Sequence, residues 1–253
     1  MSPDEVVTTL RAAGCVFAEE EAELLLAAPG DRLGELIARR VAGEPLEQVL
    51  GWAAFCGHRV GVDLGVFVPR VRTELLARTA AEGLRDGAIV VDLCCGAGAI
   101  ALVLAQAADG VEVWAADVDP AAVACATRNL AAFGGRVSRG DLFDALPDHL
   151  RGRIDVLAAN VPYVPTGAIE TLPAEARLHE ARVALDGGDD GLDLLRRVAA
   201  EAGAWLAPGG TVLMEVTEEQ EPTATKALLA GGLTTRVVLD DELGATVVIG
   251  VRA

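Results

Sequence analysis

The chain lacks any CxxC motif and any cysteine and histidine grouping at metal-ligand spacing. Its five cysteines, Cys15, Cys56, Cys94, Cys95 and Cys125, are odd in number and scattered. That pattern indicates neither a disulfide framework nor a zinc site, so no metal is expected, and it suits a reducing compartment. No apolar run approaches the roughly 18 residues of a membrane span. The first residues carry Asp4 and Glu5 where a leader would carry cations. No membrane contact is therefore expected, and the expected location is cytoplasmic. Cations are scarce: 21 Lys and Arg stand against 38 Asp and Glu, a net charge of −17. Such acidity argues against a duplex nucleic-acid partner, whose phosphates need neutralising, and suits a basic protein partner better. Internal repeats and low-complexity tracts are also missing. Apolar residues are plentiful, at 52% of 253, enough for one large α/β domain with a small appendage.

From Val6 to Val49 the apolar positions recur at helical spacing, with breaks at Gly14 and at Pro29-Gly30-Asp31. This predicts a helical domain over residues 1–50. Residues 51–73 set Trp52, Phe55, Val60, Val62, Phe67 and Val68 between glycines, the pattern of a β-hairpin linker. Over residues 74–253 strands at 89–93, 112–116, 136–138, 154–159 and 211–216 alternate with helices at 100–108, 121–133, 192–206 and 222–230. Alternation of this kind predicts a parallel sheet covered on both faces. Two last apolar runs, 234–239 and 245–251, predict an antiparallel hairpin at the sheet edge.

The first of these strands runs through Asp92-Leu93-Cys94-Cys95 into Gly96-Ala97-Gly98. A glycine turn there lets backbone approach a ligand and opens a helix whose N-terminal amides face it. The run also satisfies a GxGxxA dinucleotide pattern, with Asp117 about twenty residues on, so an NAD-type site stays open at this point. Two features favour a different ligand. Asp92 is offset towards a cationic amino-acid moiety, and Gly140-Asp141-Leu142-Phe143 follows the short third strand with a carboxylate for an exocyclic amine beside apolar contacts. With Asp117 at a ribose, the order suits S-adenosylmethionine, which combines an amino acid, a ribose and an adenine. Taken singly, each aspartate serves as readily as a helix cap or loop carboxylate. Cys94 and Cys95 read as small packed residues, and His149 and His179 have no dyad partner nearby in sequence.

The strand at 154–159 ends in Asn160-Val161-Pro162-Tyr163. The Asn160 side-chain oxygen and the Val161 carbonyl can accept both hydrogens of one NH2 group, orienting its nitrogen for methyl transfer. Pro162 stiffens the turn, and the Tyr163 ring can stack on a planar amide or face developing positive charge.

With Gly43-Glu44-Pro45-Leu46-Glu47-Gln48, Val68-Pro69-Arg70, Asp117-Val118-Asp119-Pro120, His179-Glu180-Ala181-Arg182 and Ala184-Leu185-Asp186-Gly187-Gly188-Asp189-Asp190-Gly191, the chain resembles the release-factor glutamine methyltransferases, the HemK/PrmC family. The resemblance implies a Rossmann-like class I methyltransferase with a seven-stranded, mostly parallel sheet ending in an antiparallel hairpin. It implies S-adenosyl-L-methionine at Asp92, Cys94, Gly96, Gly98, Asp117, Val118, Asp141, Leu142 and Asn160. Asn160, Val161, Pro162 and Tyr163 would hold a glutamine amide of a release-factor-like protein, which the helical domain would help dock. Four positions depart from the family pattern: Val161 replaces a proline, Val71-Arg72 stands where a proline and an acidic residue are usual, and Ala181 stands where a proline is common. The rivals are an N-methyltransferase for a small amide or amine or for a nucleic-acid base, a dinucleotide oxidoreductase, and a non-catalytic module.

Overall fold

The computed structural model describes residues 1–28 and 30–253. Four helices come first: α1 (Pro3–Ala12), α2 (Ala18–Leu26), α3 (Leu33–Val41) and α4 (Leu46–Leu50). Ser2 and Glu5 close a capping box on α1, worth about 1 kcal/mol. Val6, Leu10, Leu25, Leu36 and Ile37, drawn from the expected helical stripes, pack into a core of their own. Gly14 turns the chain at φ 91°; of the second expected break, Pro29 lies outside the described residues.

Strands β1 (Trp52–Phe55) and β2 (His58–Gly61) form the expected hairpin. Cys56 and Gly57 both have positive φ, 48° and 77°, the backbone signature of a type I′ turn. The hairpin is shorter than the expected linker. Past Gly61 the chain is non-repetitive, so Phe67 and Val68 are not strand residues.

The main sheet contains β3 (Ile89–Leu93), β4 (Glu112–Asp117), β5 (Arg136–Arg139), β6 (Ile154–Ala159), β7 (Leu206–Val216), β8 (Thr234–Asp240) and β9 (Ala245–Val251). Their spatial order is β5-β4-β3-β6-β7-β9-β8, parallel except for β9, which is antiparallel to β7 and β8. The seven-stranded sheet with a terminal hairpin is as expected. Helices α5 (Glu74–Ala81), α6 (Ala99–Leu104), α7 (Pro120–Leu130), α8 (Ala174–His179), α9 (Asp193–Trp205) and α10 (Glu221–Ala230) connect it. The sequence pattern marks neither α5 nor α8, and α6 stops four residues before the expected end, while β7 begins five residues early through a shifted register against β6.

Strand alternation sorts side chains into two layers. Val90, Val156, Ala158, Val247 and Ile249 face the hairpin, α5 and α6. Val91, Leu93, Leu157, Ala159 and Val248 face the opposite layer, with α9, Trp205 and Phe143. Chain order reverses between β3 and β6, and the carboxyl ends of strands at such a switch point form a crevice.

Candidate active site

The crevice holds a cavity of about 560 Å³, lined by the carboxyl ends of β3, β4 and β6, the segment Phe67–Thr73, and α8. That size suits a small-molecule site. At the end of β3, Cys94 adopts φ 55°, a left-handed conformation that favours glycine, and Leu142 after β5 adopts φ 49°. Two non-glycine residues held in this region on one cavity wall are the kind of local strain that clusters at binding sites. Burial pushes the Cys94 and Cys95 thiols well up, which keeps both neutral where they line the cavity.

Asp117 ends β4. Its Oδ2 accepts from Gly96 N and its Oδ1 from Asp119 N, both at 2.9 Å. Burial raises its pKa, and the carboxylate lines the cavity with free lone pairs left over. Asp119 caps α7 through Ala121 N at 2.9 Å. Asp141 lines the far end and is paired with Arg197 at 2.9 Å.

Asp92 and Gly98 sit elsewhere than expected. Asp92 is 1% exposed, shares the inward face of β3 with Val90, and lies behind the cavity wall. Its Oδ2 accepts from Ala101 N at 3.0 Å, while Oδ1 is buried without a partner. Gly98, at φ 76°, leaves room for Ala126: an added Cβ would lie 3.1 Å from that side chain. It serves the packing of α6 on α7 rather than the cavity surface.

Burial pushes the Asp92 carboxyl up to about 7, the Ala101 amide opposing and the Asp117 charge adding. Between about pH 4 and 7 the folded protein holds this proton and the unfolded chain does not, so its contribution to stability falls as pH rises through that window. Asp92→Asn should therefore match wild type near pH 4 and exceed its Tm by about 5–10 °C at pH 8. Thermal melts of the cofactor-free protein across that range check it; a Tm gap that does not widen with pH would remove the assignment.

Asn160 follows β6 directly. Its Nδ2 donates to Thr73 Oγ1 at 3.3 Å, and its Oδ1 is buried with no hydrogen-bond partner. With the amide nitrogen committed to Thr73, the oxygen is the end of this cavity-lining residue left without a partner. Among the described residues no hydrogen bond engages the Val161 carbonyl either. The Tyr163 and Val164 carbonyls further along are taken: Gln220 donates to Tyr163 O at 2.9 Å, and Gly187 N to Val164 O at 2.8 Å. Tyr163 OH donates to the buried Glu215 at 2.8 Å. Burial first, then Glu215, push this phenol well above its ordinary range.

Several neighbours of these residues were not among the expected site residues. Thr73 orients Asn160. Arg72 reaches Glu215 through Nε at 3.1 Å. Glu180 accepts from Val68 N at 2.9 Å and from Arg70 Nη2 at 2.6 Å, holding the Val68-Pro69-Arg70 strap from 112 residues away. Asn129 Nδ2 donates to Gly61 O and Ala97 O, both at 2.8 Å, tying hairpin to glycine turn. Among the described residues no cluster of metal-ligating side chains forms, and no helix is long and apolar enough to cross a membrane.

Residues 65–190 match the methyltransferase small domain family. The solved T. thermophilus 16S rRNA N2 G1207 methyltransferase, in complex with AdoMet and guanosine, shares the fold at TM-score 0.56 and 21% identity, over 80% of this chain and 50% of that one. The sheet order and the family match together define a class I methyltransferase, whose cofactor is S-adenosylmethionine. Among curated relatives, the release factor glutamine methyltransferase of Geobacter sulfurreducens is 36% identical across 86% of this chain and 76% of its own length. The 4-amino-L-phenylalanine/4-methylamino-L-phenylalanine methyltransferase of Streptomyces pristinaespiralis is 37% identical across 81% and 73%. The chain belongs to the release factor glutamine methyltransferase family.

Proposed function

We propose that this enzyme methylates the side-chain amide nitrogen of a glutamine in a protein, with a peptide-chain release factor as the leading acceptor. The observation that carries the reading is the buried, unpartnered Asn160 Oδ1 beside the free Val161 carbonyl. A buried acceptor without a donor costs about 1–3 kcal/mol, and an acceptor NH2 group would satisfy both oxygens at once. S-adenosylmethionine supplies an electrophilic methyl group when bound. The chain's contribution is to hold the amide: two oxygens fix its plane and stabilise positive charge growing on the nitrogen. An amide is a poor base, and its proton leaves to water after transfer.

In this reading Cys94, Gly96, Asp117 and Val118 contact the amino-acid and ribose parts of the cofactor, and Asp141 with Leu142 the adenine, while Asp92 and Gly98 brace the glycine turn from behind. Residues 1–50 dock the protein, 51–73 link, and 74–253 carry the chemistry. Exposed apolar side chains on or beside lining segments, Leu64, Val71, Leu178 and Val183, support a macromolecular acceptor. The same grip would serve an amine, and the Streptomyces relative's printed activity supports a small amino-acid amine as the second reading.

Incubating the protein with methyl-labelled S-adenosylmethionine and unmodified release factor, followed by peptide mass spectrometry, tests the proposal. Label on a glutamine side chain is the expected result. Label on an arylamine amino acid alone would favour the second reading.

A further inference from the structure

Three cations line the cavity, and they differ in what they leave free. Arg70 gives Nη2 to Glu180 and stacks over Phe67, its Cζ 4.7 Å from the ring centroid. Arg197 gives Nη2 to Asp141. Arg72 gives Nε to Glu215 Oε1, and its guanidinium also lies within reach of the Tyr163 side chain that shares that oxygen. Neither Nη1 nor Nη2 is held by a carboxylate among the described residues, so its fork is the least committed of the three.

Its position is also distinctive. Arg72 precedes Thr73, which holds the Asn160 amide, and its Cζ lies 5.7 Å from the centroid of the Tyr163 ring. The guanidinium thus borders the two ends of the Asn160–Tyr163 turn. Glu215 is 2% exposed and anchors it from the sheet, whereas the Arg72 side chain is 46% exposed. The opposing wall carries Glu175, which is paired with the buried Arg40 at 2.6 Å. An anchored guanidinium with a free planar fork is a receptor for a carboxylate, which it binds with two parallel hydrogen bonds. The acidic residue of the family pattern would repel that group at the same place.

We propose that Arg72 is a specificity residue: it binds a carboxylate that the acceptor carries beside its methylated nitrogen, from an acidic residue flanking the target glutamine in a peptide. This rests on the glutamine reading above. The test compares two synthetic peptides with the same glutamine, one flanked by glutamate and one by alanine, in wild type, Arg72→Met and Arg72→Met/Glu215→Gln. The double variant removes the buried charge that the single variant leaves alone.

Wild type is expected to favour the acidic peptide by about 10- to 100-fold in kcat/KM, the range of a charge-assisted hydrogen-bond pair. Both variants should reduce that preference to about twofold or less while S-adenosylhomocysteine affinity, by calorimetry, changes less than about threefold. Equal rates of wild type on the two peptides would overturn the proposal. So would a loss of S-adenosylhomocysteine affinity in parallel with the loss of rate, which would give the carboxylate to the cofactor. If neither peptide is labelled while the cofactor product binds normally, the glutamine reading fails. The same proteins on an arylamine amino acid and its methyl ester then decide the role of Arg72: a preference for the free acid lost in the variants supports it, and equal rates overturn it.

Discussion

Asn160→Ala is expected to lower kcat/KM for methyl transfer by about 10²- to 10³-fold, the cost typical of removing one preorganised group from a charge-stabilising site. S-adenosylhomocysteine affinity should stay within about threefold of wild type. The split follows from geometry. The Asn160 oxygen has no partner within the protein, so its loss leaves no structural bond broken on that side. The bond to Thr73 is long, 3.3 Å, and its removal costs stability of about 1 kcal/mol. Near-normal turnover by this variant would remove the amide grip from the account. A parallel collapse of product binding would move Asn160 from the acceptor to the cofactor.

The second large effect is expected at a glycine that touches no ligand. Gly191 has φ 79°, and a Cβ added there would lie inside contact distance of the Tyr163 carbonyl oxygen and 2.6 Å from Gln220 Nε2. These are the two partners whose bond fixes the end of the Asn160–Tyr163 turn. Gly191→Ala should therefore destabilise the protein by about 2–5 kcal/mol, summing left-handed strain with overpacking. It should also depress kcat more than cofactor affinity, because the displaced carbonyl belongs to the acceptor side. Denaturant unfolding with parallel single-turnover assays checks both halves. A stable variant with altered product binding and normal kcat would contradict the cradle assigned to this loop.

That cradle shows how the sequence could point to a region without explaining it. The run from Ala184 to Gly191 stood out as a motif, yet its glycines carry no chemistry. Gly187 and Gly191 are small because the carbonyls of Pro162 and Tyr163 come within van der Waals range. The alternation of strands and helices, the terminal hairpin and the strand end at Asn160 were legible because period-2 and helical patterns are local. The depth of Asp92 was also within reach of pattern: it shares strand parity with Val90 and so faces α6, where it bonds Ala101 N. The partnerships of Glu180, Arg72, Glu215 and Gln48 were not legible, since each joins residues far apart in sequence and no short window contains both ends. Phe67 read as a strand residue because it lies in a short apolar run next to a glycine, but the segment is held by side chains rather than a sheet ladder.

Gln48 shows what such distant bonds mean for the architecture. Its Nε2 donates to Val66 O and His179 O at 3.0 and 3.2 Å, and its Oε1 accepts from Gly65 N at 3.3 Å. One amide from α4 thus stitches the segment after the hairpin to the end of α8, two neighbours that also share the Ala181 N to Gly65 O bond. Arg40 repeats the arrangement from α3, joining Glu21 to Glu175. The first fifty residues are in this sense masonry of the chamber: a fragment beginning at the hairpin would keep its cofactor crevice and lose the frame of its doorway.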